Sequence, residues 1–161
     1  MVWMVCAIAG VDVSGFGICK GCQAYARLAY SFFHASFFHA AINCWCLLCI
    51  VFTFRVPLWQ LVAAYAIACS YPFGGIPTVG LSAVDFALLA MVSWKVARKL
   101  FYHSWMLSFI VAGYVFPAIL QWVGMDVARP NNTLHIYSYV VGLIVGFMDS
   151  TANGYRFFHH S

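Results

Sequence analysis

The feature that most constrains this chain is its long apolar runs, which carry almost no charge. Only 7% of the 161 residues are charged and 65% are hydrophobic, with a mean hydropathy of +0.89. This composition is far too apolar for a water-soluble globular domain. The runs lack the alternation of barrel strands, and each is roughly the 20 residues that a helix needs to cross a bilayer. The pattern therefore predicts membrane helices.

Six candidate spans follow from these runs. They are Val2–Val13, Phe37–Phe54, Val56–Tyr71, Val79–Val96, Trp105–Val123 and Leu134–Phe147. The first is the weakest, because Gly10 and Asp12 interrupt it. The sequence thus predicts an all-α fold, a polytopic bundle of six transmembrane helices in a single domain over residues 1–161.

The distribution of lysine and arginine predicts the orientation of this bundle. With the N-terminus in the cytoplasm, five basic residues lie inside and three outside, so the positive-inside rule favours cytoplasmic termini. We therefore expect a multi-pass protein of the cell (inner) membrane, with the lipid bilayer as a partner. The formal net charge of +4 is small and scattered, so no nucleic-acid partner is expected. No pattern defines an oligomeric state.

Two short motifs lie between the predicted spans. Cys19 and Cys22 form a C-x-x-C pair that could make a disulfide or bind a metal, but no second pair accompanies it. Asn131-Asn132-Thr133 matches a glycosylation acceptor, which has meaning only if this loop faces a secretory lumen.

Polar residues within the spans are the candidate functional residues, because each is costly in lipid. His39 and Asn43 are four residues apart and share one helix face, whereas His34 is turned somewhat aside. Ser82 and Asp85 lie in the fourth span. The remaining polar residues of this kind are Gln121 and His135.

These residue types could supply the catalytic groups of a hydrolase. Ser82 could be the nucleophile and His135 its base, while Asn43, His39 and the Ser82 amide could donate hydrogen bonds to an oxyanion. Two other interpretations remain open from the residues alone. Each polar residue could simply pack or bridge helices, or His34, His39 and His135 could bind a metal.

Three stretches of the chain resemble the rhomboid family of intramembrane serine proteases. They are "HASFFHAAIN" (His34, His39, Asn43), "GLSA" (Gly80–Ala83) and "HIYSYVVGLIVGFMDS" (His135, Gly142, Asp149). The family pattern has a His followed by H-x-x-x-N in the second span, G-x-S-G at the start of the fourth, and A-H-x-x-G-x-x-x-G in the sixth. Order, spacing and separation agree from about Leu28 to Ser150.

The resemblance implies an endopeptidase with a serine–histidine dyad that cleaves transmembrane segments of other membrane proteins. Ser82 would attack the scissile carbonyl, and His135 would take its proton and return it to the leaving amine. Asn43 and His39, with the Ser82 amide, would form the oxyanion hole. His34 would hold the outer loops and Phe86 would stack on His135. No cofactor or metal is implied.

Several positions depart from the family pattern. Ala83 and Ser138 stand where the family has glycine, Leu134 replaces a small residue, and the first outer loop is short. These departures keep open a rhomboid-like pseudoprotease that binds membrane helices without cleaving them. Asp85 has no counterpart in the family; it could be neutral and packed within the bundle, or it could tune His135 or hold water.

Overall fold

A computed structural model describes residues 14–35, 37–72, 75, 77–96, 119, 122–124 and 130–158. Within these ranges the long elements are helices, and a single isolated bridge represents extended pairing. The helices are α1 (Ala24–Ala29), α2 (Phe37–Phe54), α3 (Leu58–Cys69), α4 (Ser82–Val96) and α5 (Asn132–Phe158). Short 3-10 turns occupy Ser14–Phe16 and Tyr30–Phe32.

Local chemistry ends α2 and starts α3. Arg55 adopts a left-handed conformation (φ 48°), which breaks the helix after Phe54. Pro57 follows in the extended conformation at the position preceding α3. Proline lacks an N–H and is disfavoured inside a helix but tolerated at its start, so the next helix, α3, begins at Leu58.

Helix α4 lies at the centre of the packed helices. It contacts α5 most extensively, and α3 and α2 to a smaller extent. Eight of its residues from Ala83 to Val92 are buried hydrophobic side chains, including Leu88, Leu89 and Met91. The core of the described chain is therefore built around α4.

A glycine sets the distance between α4 and α5. A Cβ atom placed on Gly142 of α5 would lie 2.5 Å from the Ala87 carbonyl oxygen and 3.0 Å from the Ala90 Cβ, both on α4. Only a residue without a side chain fits against the α4 backbone at this point. The two helices that carry Ser82 and His135 consequently pack backbone to backbone.

The segment before α2 folds over one end of these helices. Ile18 and Thr78 exchange two backbone hydrogen bonds of 2.9 and 3.0 Å. The buried Tyr30 hydroxyl donates to the Ala68 carbonyl at 3.0 Å, and the Arg27 guanidinium donates to the Tyr71 carbonyl. These contacts fix the chain that leads into α4.

The prediction of a six-span membrane bundle is wrong for the helices that the structure describes. None of them combines the length and the apolar character needed to cross a membrane. α3 has 12 residues and α4 has 15, against the roughly 20 that a span needs. The prediction of a multi-pass protein of the cell membrane with cytoplasmic termini is wrong on the same finding.

The sequence nevertheless locates the described helices closely. The segment 37–54 is helical as α2, 58–69 lies within the predicted 56–71, and α4 ends at Val96 as the sequence indicates. α5 continues eleven residues beyond the predicted end at Phe147, to Phe158. Val2–Val13, and most of Trp105–Val123 including Gln121, lie outside the described residues.

Candidate active site

Ser82 and His135 meet where α4 and α5 both begin. The Ser82 Oγ lies 2.9 Å from the His135 Nε2, a hydrogen-bond distance between side chains 53 residues apart. Ser82 is the first residue of α4, half-buried, and His135 lies in the first turn of α5 with 8% of its surface exposed. A serine and a histidine in this arrangement have the geometry that a nucleophile and its base require.

The His135 imidazole is held and tuned by its surroundings. The Phe86 ring, one turn after Ser82, stacks on it with centroids 4.5 Å apart and planes 15° from parallel. Burial, with a smaller contribution from His39, lowers the pKa of His135 to about 4. The imidazole is therefore neutral at pH 7, the state in which Nε2 can accept the proton of Ser82.

Two polar side chains of α2 approach the turn before Ser82. Gly80 has a φ of +127°, and a Cβ there would lie 2.8 Å from the His39 Cε1 and 3.3 Å from the Asn43 Nδ2. The absence of a side chain at Gly80 thus lets the backbone before the nucleophile pass directly over His39 and Asn43.

The Asn43 amide is buried and available. Asn43 is 6% exposed, and among the described residues its Nδ2 has no hydrogen-bond partner. A buried donor without a partner costs free energy, so it commonly marks a position where a ligand or water binds. The first amides of a helix also lack partners within that helix, and Ser82 begins α4. Asn43 and the Ser82 amide together provide donors of the kind that stabilise an oxyanion.

His34 supports the same turn from the other side. It lies in the extended segment before α2, not within the span where the sequence placed it, and its Nε2 accepts a hydrogen bond of 3.3 Å from the Leu81 N–H. Its ring meets the His39 ring edge-on, with centroids 5.1 Å apart. Burial, followed by the effect of His39, lowers the pKa of His34 to about 4. A neutral His34 keeps the lone pair that Leu81 needs.

Asp85 is a buried acid one turn after Ser82 on the same helix. It is 4% exposed, and burial raises the pKa of its carboxyl well above the ordinary value. Burial, with a smaller contribution from Asp85, also raises the pKa of the Cys46 thiol on α2 to about 12. Of the two sequence interpretations, the structure favours a neutral, buried acid.

The departures from glycine at positions 83 and 138 fit within the packed helices. Ala83 and Ser138 are both fully buried, and the dyad hydrogen bond keeps its 2.9 Å length. The Ser138 Oγ has no hydrogen-bond partner among the described residues. The larger side chains are therefore compatible with the close approach of α4 and α5.

Metal ligands do not assemble in the part of the chain that the structure describes, where no group of three or more His, Cys, Asp or Glu side chains could hold an ion. Cys19 and Cys22 are both free thiols and half-buried. The Cys22 Sγ lies 2.8 Å from the Cys19 carbonyl oxygen, to which its S–H donates.

Asn131 and Thr78 lie near Ser82 and His135, but the sequence did not identify them as site residues. Asn131, which the sequence marks only as a glycosylation acceptor, immediately precedes α5, and its Nδ2 donates to the Thr78 Oγ1 at 2.8 Å. An asparagine before a helix is a common N-cap, so the capping pattern could have drawn attention to it. No local pattern could have paired it with Thr78.

No family model, no curated protein and no solved structure matches this chain.

Proposed function

We propose that this chain is a serine endopeptidase of the rhomboid type, with Ser82 as nucleophile and His135 as general base. The observation that carries the proposal is the 2.9 Å contact between the Ser82 Oγ and the His135 Nε2. The two residues come from separate helices, and the sequence motifs give them the roles of nucleophile and base. The stacked Phe86 and the buried, unpartnered Asn43 amide add independent support.

In the proposed reaction, the Ser82 Oγ attacks the scissile carbonyl carbon while its proton passes to the His135 Nε2. The carbonyl π electrons move to the oxygen, and the resulting oxyanion accepts hydrogen bonds from the Asn43 Nδ2, His39 and the Ser82 amide. Collapse of this intermediate breaks the C–N bond, and the proton on His135 goes to the leaving amine. An ester of Ser82 remains.

Hydrolysis of this ester uses the same groups. A water molecule gives a proton to the His135 Nε2 as its oxygen attacks the ester carbon. The second oxyanion collapses, the bond to the Ser82 Oγ breaks, and the serine regains its proton from His135. The products are a carboxylic acid and an amine, and the enzyme returns to its starting state.

The substrates we propose are transmembrane segments of other membrane proteins, in keeping with the resemblance to rhomboids. The described helices display large apolar side chains that suit contact with such segments. Examples are Trp45 and Phe52 on α2, which are 68% and 76% exposed. Large exposed apolar surfaces of this kind commonly mark interaction sites.

The test is labelling of the full-length chain, purified in detergent, with a fluorophosphonate probe that reacts with activated serines. The wild-type protein should label, and Ser82→Ala and His135→Ala should both lose labelling. Ser93→Ala is the matched control, because Ser93 lies on the same helix and its hydroxyl donates to the Ala90 carbonyl. A folded wild type that does not label would contradict the proposal and favour a helix-binding pseudoprotease.

The pH dependence of labelling gives a second, sharper readout. The base must be neutral to work, so activity is lost as pH falls through the pKa of His135. Because burial lowers that pKa to about 4, labelling should persist at pH 5 and fall by half near pH 4. A midpoint near 6.5, the ordinary value for histidine, would show that His135 is not the buried base described here.

A further inference from the structure

We infer that Asn131 is a positioning residue that holds the base in register with the nucleophile, an inference that rests on the proposed function. Neither the three rhomboid-like stretches nor the pair Ser82 and His135 includes this residue. Its side chain and backbone contact both segments that carry the dyad.

Asn131 first fixes the start of α5. Its Oδ1 accepts hydrogen bonds from the Leu134 N–H at 3.1 Å and the Thr133 hydroxyl at 2.8 Å. Its backbone carbonyl accepts the N–H of His135 at 3.1 Å. These bonds satisfy amides of the first helical turn, as an N-cap does. The turn that carries the base is thus defined by Asn131.

Asn131 also contacts the segment leading to the nucleophile. Its Nδ2 donates to the Thr78 Oγ1 at 2.8 Å. Thr78 lies four residues before Ser82, and its backbone is held on the other side by two hydrogen bonds with Ile18. The Asn131 amide therefore joins the first turn of α5 to the segment before α4, which its pairing with Ile18 holds in place.

The dyad needs such a link because Ser82 and His135 belong to different helices. Along the helices, the close approach of Gly142 to Ala87 sets their separation. That contact lies two turns beyond His135, so the position of the first turn of α5 depends on further contacts. Among the described residues, the hydrogen bond from Asn131 to Thr78 and the hydroxyl contact of 2.7 Å between Tyr71 and Thr133 hold this end against the segment before α4. Small errors in the distance between reacting groups are costly to the rate of a reaction.

Only an amide meets both requirements at this position. The Oδ1 caps α5, and the Nδ2 reaches Thr78 as a donor. Because the amide is engaged at both atoms, we expect Asn131 to remain unmodified although it matches a glycosylation acceptor. A glycan on the Nδ2 would compete with the bond to Thr78.

The test removes the link without removing the cap. Thr78→Val deletes the hydroxyl that accepts from Asn131, and Thr78→Ser retains it as a conservative control. With the fluorophosphonate probe, we expect the maximal labelling rate of Thr78→Val to fall about tenfold. The half-saturating probe concentration should stay within about twofold of wild type. Thr78→Ser should label at close to the wild-type rate.

A double-mutant cycle separates this role from capping. Asn131→Ala loses both the cap and the link, so adding Thr78→Val to it should cause no further loss of rate. Asn132→Ala is the control for a substitution at the start of α5, because Asn132 is the next residue and its side chain is exposed. If Thr78→Val is less stable in thermal unfolding, Thr78→Ala gives the same comparison without the added methyl.

Each outcome decides the inference. Equal maximal rates for wild type, Thr78→Val and Thr78→Ala would overturn it, while labelling of the wild type would leave the proposed function standing. A change confined to the half-saturating concentration would also overturn it, because that would indicate probe binding. Absence of labelling in the folded wild type would overturn the proposed function, and this inference with it.

Discussion

The two helices that supply the dyad differ in their environment. α4, which carries Ser82, has buried side chains at nine of its first eleven positions, and its Leu88 has no exposed surface. On α5, which carries His135, the buried positions up to residue 151 follow one stripe that includes Leu134, Ser138 and Gly142. Its opposite face exposes large apolar side chains. These are Ile136, Val140, Ile144, Phe147 and Met148.

This difference assigns separate mechanical roles to the two halves of the site. The proposed nucleophile, Ser82, lies on the helix that contributes most to the core. The proposed base, His135, lies on a more exposed helix, so its position depends on a few specific contacts. Those contacts include the approach of Gly142 to Ala87, the hydrogen bonds of Asn131 and the Phe86 ring.

The largest effect on activity should come from a side chain added at Gly142, where α5 meets α4. In Gly142→Ala the new Cβ would lie 2.5 Å from the Ala87 carbonyl oxygen, so α5 must move away from α4. We expect a loss of about 3 kcal/mol in the free energy of unfolding and loss of fluorophosphonate labelling. Thermal unfolding and labelling of the purified variant measure both.

Gly15→Ala is the control for this substitution, because nothing lies within 4 Å of a Cβ at that position. It should unfold and label like the wild type. If Gly142→Ala also behaves like the wild type, the two helices do not pack as closely as the structure describes.

A pair of matched truncations tests the contrast between α4 and α5 directly. Leu88→Ala removes three carbons from a fully buried side chain and should destabilise the protein by about 2–5 kcal/mol. Ile144→Ala removes the same number of carbons from a side chain that is 55% exposed, and it should change stability by about 0.5 kcal/mol or less. Chemical denaturation in one detergent measures both, and equal losses would contradict the central position of α4.

The smallest effect concerns the buried acid of α4. Burial raises the pKa of Asp85 in the folded state, so the native chain binds a proton more tightly than the unfolded chain. Stability is then greatest below the unfolded pKa of about 3.9 and falls as pH rises toward the folded value. Asp85→Asn cannot titrate and should be more stable than wild type at pH 8, by about 1 kcal/mol.

Thermal unfolding at pH 4 and pH 8 provides the measurement. The advantage of Asp85→Asn over the wild type should shrink at pH 4, where both side chains are neutral. The opposite result would be an Asp85→Asn variant that loses stability relative to the wild type as the pH is raised from 4 to 8. That result would indicate that the carboxylate is charged and paired.

The sequence predicted much of the local structure of the described chain. The apolar run from Phe37 to Phe54 coincides with α2, and the proline at position 57 marks the start of α3. Both signals are local, because periodicity and proline act within a few residues. The same apolar runs also predicted membrane spans, which the described helices do not bear out. Composition indicated an apolar chain but did not fix the length of its helices.

For the candidate site, too, the sequence predicted some features and left others open. Residue type and spacing singled out Ser82, His135, His39 and Asn43 as the groups able to perform the chemistry, and the structure brings Ser82 within 2.9 Å of His135. The sequence left the orientation of Asp85 open, since a position three residues from Ser82 could face either neighbour. The structure buries Asp85 and raises the pKa of its carboxyl, which favours the neutral acid.

The sequence by itself thus determined which chemical groups the chain carries, in what order, and on which helical segments. Only the tertiary structure decided that α4 is central and α5 peripheral, and that Asn131 reaches Thr78 across 53 residues. The physical reason is that helix periodicity reports one buried face at a time. Which faces meet depends on the complementary shapes of residues that are distant in sequence, such as Gly142 and Ala87.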